Sequence, residues 1–134
     1  MENDAPFYHV DREWLEAKRL SFSVLVEERL CPVCRDRFRN GGLASEEEVV
    51  SCLREHCSTR EDYLNPRLPL LELAFRLLLA SAGPLSLEEV QKQLQRLVAK
   101  GPYPKDTSRE TLERLLDRHT YYGIRRLDAT GRSG

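Results

Sequence analysis

No apolar run in this chain is long enough to cross a bilayer. The longest, residues 68–82, is interrupted by Pro69, Glu72 and Arg76, whereas a spanning helix needs about 20 apolar residues. A secretory leader is not expected either, because Met1, Glu2, Asn3 and Asp4 form an acidic start with no apolar segment behind it. These absences predict a cytoplasmic chain without membrane contact. A surplus of one charge is also lacking: 21 basic side chains face 22 acidic ones. Sequence-independent coating of nucleic acid, which scales with the phosphates neutralised, is therefore disfavoured. Also missing are a Gly-rich phosphate loop, a nucleophile elbow and a His-Glu-x-x-His element. His9 and His119 are isolated in sequence, the first expected in a loop and the second at a helix C-terminus. The residues support no catalytic reading, and the chain is expected not to be an enzyme.

Over 134 residues, 40% apolar and 32% charged side chains suit one globular domain or two small ones sharing a core. Charge is divided unevenly, at −5 over residues 1–62 and +4 over residues 63–134, which suggests two functional parts. Helix starts are readable from caps. Asp11 and Ser21 precede apolar residues at helical spacing, and Ser45 with Glu48, Ser86 with Glu89 and Thr107 with Glu110 have capping-box spacing. Residues 35–40, with alternating arginines, read as a short strand or loop closed by Gly41 and Gly42. Pro66 and Pro69 mark a boundary. Beyond it, residues 70–81 are apolar nearly all round, with Glu72 and Arg76 as the only charges, so a helix there is central or has a partner on its second side. Residues 121–127 read as a strand. The expected architecture is mainly α, with a helical module over residues 1–64, a second domain over 65–128 carrying a short strand or hairpin, and a loose tail over 129–134.

Three capped helices followed by a strand, with a loop between the second and third helix, make the segment 69–127 resemble winged helix-turn-helix domains. The resemblance implies that residues 108–119 form the recognition helix and residues 121–127 the first strand of the wing. It also implies DNA contact through Arg109, Arg114, Arg118, Arg125 and Arg126. Glu110, Glu113 and Asp117 interleave with the helix arginines and would repel phosphates, which favours a solvated helix of a structural or protein-binding winged domain and leaves direct DNA contact open.

The cysteines carry the most chemical information. In a cytoplasmic chain, four of them suggest metal ligands or buried thiols before disulfides. Cys31 and Cys34 form a C-x2-C pair stiffened by Pro32, and Cys52, His56 and Cys57 offer three candidates for two further places. This arrangement resembles treble-clef zinc modules, including the GATA type, in which a knuckle and a later helix each give two ligands. On a regular helix Cys52 and His56 lie about 40° apart and Cys52 and Cys57 about 140° apart, which favours His56. A helix break before Ser58, which with Glu61 can form a fresh capping box, would instead swing Cys57 into place. The expected ligands are Cys31, Cys34, Cys52 and Cys57, with His56 as the alternative fourth. The expected ion is structural Zn2+, with an iron–sulfur cluster as the alternative.

Together these features suggest a small nucleic-acid-associated regulator, with a structural zinc site and a winged domain contacting DNA or a transcription protein. The alternatives are a protein–protein adaptor without DNA binding and a redox sensor built on thiols or an iron–sulfur cluster. A homodimer paired through residues 70–81 is expected from the two-sided apolar character of that segment.

Overall fold

Three short strands tie the front of the chain to its back. In the computed structural model, which describes residues 6–40, 45–118 and 122–127, β1 (Phe7–Val10) runs between β2 (Leu85–Ser86) and β3 (Ile124–Leu127), antiparallel to both. Tyr8 faces inward opposite Leu85 and Arg126 and is fully buried. The sequence expectation had no strand here and placed His9 in a loop. His9 instead lies in β1 opposite Arg125. The signal was present in an aromatic and β-branched run, but it is only four residues long.

Helices fill the rest. α1 (Arg12–Ala17) and α2 (Phe22–Glu27) are capped by Asp11, which accepts from the Trp14 amide, and Ser21, which accepts from the Val24 amide. α3 (Pro32–Asn40) replaces the strand or loop expected after the cysteine pair. Pro32 occupies the first helical position, where a missing N–H costs nothing and its fixed φ suits the helix. α4 (Glu46–Glu55) opens with the reciprocal Ser45 and Glu48 capping box and is followed by a 3-10 turn, Cys57–Thr59. α5 (Leu70–Ala80), α6 (Leu87–Ala99) and α7 (Arg109–Arg118) complete the chain. At the start of α7 the cap is Ser108, which accepts from the Thr111 amide, one residue later than the Thr107 box predicted. Asp106 accepts from the Ser108 amide and the Thr111 hydroxyl and so fixes that start. The expected glycine turn at Gly41 and Gly42, His119 at a helix end, Tyr121 at a strand start and the tail over 129–134 lie outside the described residues. The fold is mainly helical with a small three-stranded antiparallel sheet. No helix among the described residues is long and apolar enough to cross a membrane.

α5 is central, as its composition predicts. Leu73, Ala74, Phe75, Leu77, Leu78 and Leu79 are buried in one cluster with Leu15, Phe22, Leu25 and Val26 from the front of the chain and Leu87, Val90, Leu94, Leu112 and Leu116 from the back. The two apolar sides of α5, which suggested a second chain, are thus covered within one chain.

A charged network lies inside this core. Glu72, 9% exposed, accepts from Arg29 Nε at 2.8 Å and Nη2 at 3.0 Å, from Arg76 Nε at 2.8 Å and from the Tyr122 hydroxyl at 2.6 Å. Arg29 also donates to the Leu25 carbonyl, and its guanidinium lies over the rings of Phe75 and Tyr122, which stack 4.5 Å apart. One carboxylate therefore joins the end of α2, the middle of α5 and the approach to β3. Burial alone would raise its pKa, but the donors from Arg29, Arg76 and Tyr122 outweigh it and hold Glu72 at about 2. The Tyr122 hydroxyl is pushed up to about 12 by burial and by Glu72.

Gly123 turns the chain into β3 with φ +73°, and its carbonyl accepts from the Asp11 amide at 2.8 Å. A Cβ there would stand 2.6 Å from Leu15 Cγ, inside the core. Gly123→Ala is expected to cost about 1–3 kcal/mol through backbone strain and displacement of Leu15. A thermal melt checks it, and an unchanged midpoint would mean that the turn relaxes freely.

Candidate metal centre

Two short helices and one helix end build the centre. Cys31 directly precedes α3 and Cys34 lies in its first turn, so the C-x2-C pair presents both sulfurs from one helix start. α4 ends at Glu55, and His56 leaves the helix at φ −120° while its amide still donates to the Cys52 carbonyl. The 3-10 turn that follows swings Cys57 back toward Cys31, whose amide donates to Cys57 Sγ at 3.1 Å. The helix break weighed from sequence is thus present. It brings in both His56 and Cys57, where the sequence offered them as alternatives.

Cys31 Sγ, Cys34 Sγ, a ring nitrogen of His56 and Cys57 Sγ all lie within 4.8 Å of one another, and His56 Nδ1 is 3.2 Å from Cys31 Sγ and 3.5 Å from Cys34 Sγ. Donor atoms of a tetrahedral zinc site stand roughly 3.5–3.8 Å apart, from bond lengths of about 2.0–2.3 Å. The spacing fits an ion of that size, and the four residues form a group that could hold a metal ion. The three cysteines are buried and His56 is exposed, so the centre sits just beneath the surface.

Cys52 departs from its expected role. It is buried on α4 and joined to Cys34 in a disulfide, with Cα atoms 6.6 Å apart, and it lies outside the four-atom group. The low prior for disulfides rested on compartment. The local reason for this pair is that α3 and α4 pack together and bring the two residues to a Cα separation that a disulfide spans.

Local charge favours one thiolate in the remaining pair. Burial opposes ionisation of Cys31, but the amides of Cys34 and Val33, the Cys57 thiol and the charge of Arg60 prevail and hold Cys31 below the ordinary thiol range. Burial, with Cys31 beside it, pushes Cys57 up. Tyr63 lies beyond Cys57, and its hydroxyl donates to the Arg76 carbonyl while Arg76 Nη1 donates to the Tyr63 carbonyl. Because Arg76 also holds Glu72, this side of the cysteine cluster is continuous with the buried network.

The arginines expected at DNA are not gathered into one exposed patch. Arg126 donates to Asp117 at 2.6 Å and Glu113 at 2.9 Å, both on α7, and to the Tyr8 hydroxyl at 3.2 Å. It pins α7 to the sheet, and its carboxylate partners raise its pKa further. Arg125 lies over the Trp14 ring at 5.7 Å, and Arg114 pairs with Glu110 along the helix at 3.5 Å. Arg109 and Arg118 are exposed at opposite ends of α7. These partners are the interleaved carboxylates, Tyr8 in β1 and Trp14 in α1, and only the first were visible in the sequence.

Compared with protein-family models, with curated proteins and with solved structures, the chain matches none.

Proposed function

We propose that the chain is a small non-enzymatic regulator whose fold is stapled by one structural zinc ion on Cys31, Cys34, His56 and Cys57, and which works by docking to a protein partner. The observation that carries the reading is the closed donor set: three sulfurs and one imidazole nitrogen gathered within 4.8 Å. Soft thiolates with an imidazole suit Zn2+, and four protein ligands leave no position for water or substrate, so the ion is structural. The imidazole in the set favours zinc over an iron–sulfur cluster, which is ordinarily held by four cysteines. Elemental analysis of protein purified without oxygen tests this, with about one zinc per chain expected and a colourless solution. Iron with a brown colour would favour the cluster.

The resemblance to a winged helix-turn-helix domain belongs to the same proposal. α5, β2, α6, α7 and β3 follow one another in the order helix, strand, helix, helix, strand, and β1 lies between β2 and β3, where a wing's returning strand would be. Docking to protein is favoured over DNA because Arg126 is spent on Asp117 and Glu113. Replacing it by alanine is expected to cost about 1 kcal/mol, as for a half-exposed ion pair, and to leave any DNA affinity unchanged. A denaturant melt beside a DNA titration reads both effects. DNA contact remains the second reading because Arg109, Arg114 and Arg118 are exposed on α7. If it holds, replacing these three by alanine flattens the logarithmic salt dependence of DNA binding by roughly 0.9 per lost phosphate contact.

A further inference from the structure

Five donors crowd a centre of which a tetrahedral ion uses four, and Cys34 is claimed twice. Its sulfur belongs to the group that could hold a metal, and the same sulfur is bonded to Cys52. The two claims exclude each other, because the metal ligand is a thiolate and a disulfide sulfur has given that charge up. We propose that the centre is a peroxide-responsive switch, in which formation of the Cys34–Cys52 disulfide expels the ion and reduction by a thiol restores it. The proposal rests on the zinc reading above and assigns Cys52 as the residue that competes with the ion for Cys34.

Access sets the order of events. Cys52 and His56 line a surface cleft of about 500 Å³ together with Arg37, Phe38, Ser51 and Glu55, whereas Cys31 and Cys57 line a separate hollow on the other side, with Arg60 and Tyr63. A small peroxide arriving through the cleft meets Cys52 first. The Cys52 thiol takes one oxygen atom from hydrogen peroxide, giving a sulfenic acid and water. The Cys34 thiolate then attacks the Cys52 sulfur, forming the S–S bond and expelling hydroxide. Two electrons pass from the two sulfurs to the peroxide, and the O–O bond is the one that breaks. Cys31, His56 and Cys57 remain as three donors, too few to close the site. The backbone need not move, because the Cα atoms of Cys34 and Cys52 stand 6.6 Å apart, within the usual disulfide range.

The test uses the full chain, reduced, loaded with zinc and then titrated with hydrogen peroxide. Zinc release is followed with a chromogenic chelator and the disulfide by peptide mapping. The expected result is that zinc leaves in step with the Cys34–Cys52 disulfide and returns on treatment with dithiothreitol and zinc. Cys52→Ser should bind zinc like the wild type and release it at least about tenfold more slowly, because the partner thiol is gone. Cys52→Ala provides the same comparison if serine is not tolerated at this buried site, with circular dichroism verifying the fold. Release from these variants at the wild-type rate, retention of zinc by the disulfide form, or a folded Cys52 variant that binds no zinc would each overturn the proposal. Zinc content measured before peroxide is added reads the underlying zinc assignment separately, and its absence there would overturn both.

Discussion

Glu72→Ala is expected to destabilise the protein by about 3–5 kcal/mol, the usual penalty for removing one partner of a buried ion pair. The loss comes less from the missing contacts than from what remains. Arg29, with a side chain 8% exposed, would keep its charge in the core with only the exposed Glu28 carboxylate at 3.4 Å beside it, and the Tyr122 hydroxyl would lose its bond to Glu72. The same group makes stability depend on acid. Its ordinary pKa of 4.5 falls to about 2 in the fold, so the stabilisation is complete above the unfolded value and is lost as pH falls from 4.5 toward 2. Urea melts across that range should show the wild type losing stability toward Glu72→Gln, whose own curve is flatter. Parallel curves for the two proteins would place the acid sensitivity elsewhere.

Removing the ion should have an effect at least as large. Structural zinc contributes apparent binding free energies of about 10–16 kcal/mol in small zinc-finger peptides. Part of that is replaced here, because Cys31, Cys34 and Cys57 are already gathered by a packed core. Chelation of the reduced protein, or Cys31→Ser, is therefore expected to lower stability by several kcal/mol and to loosen α3 and the turn at Cys57–Thr59 before the sheet. Hydrogen exchange locates the change: amides of α3 and α4 should lose protection while those of α5 and β3 keep theirs. Unchanged melting and exchange after chelation would mean that the core alone holds the cysteines in place.

Much of the architecture was legible because it is written in local chemistry. The caps at Asp11, Ser21, Ser45 and Ser86 open helices in the structure, and the apolar run of α5, broken only by Glu72 and Arg76, is at the centre of the core. α3 was missed because its alternating arginines outweighed a Pro at the first helical position, which is itself a helix start signal. β1 was missed because a four-residue strand is stabilised by partners more than 70 residues away. The Glu72 network has the same character. The pairing with Arg76 follows from helix spacing, but nothing local points Arg29 or Tyr122 at the same carboxylate.

At the cysteine cluster the sequence supplied all five candidate donors and could not sort them. The sorting depends on where α4 stops. An unbroken helix would set Cys57 about 140° from Cys52, whereas a stop at Glu55 and a 3-10 turn bring His56 and Cys57 in together. The place of Cys52 depends in turn on how closely α3 packs against α4, which is a tertiary fact. The partners of Arg126 were hidden for a similar reason, since the Tyr8 hydroxyl that joins Asp117 around it comes from the far end of the chain.

X-ray absorption at the zinc edge of the reduced, zinc-loaded protein tests the central claim most directly. Three sulfurs at about 2.3 Å and one nitrogen at about 2.0–2.1 Å are predicted, with the nitrogen lost in His56→Ala and the whole shell unchanged in Cys52→Ser. A shell of four sulfurs, or one dominated by oxygen, would contradict the assignment of Cys31, Cys34, His56 and Cys57 as the ligands.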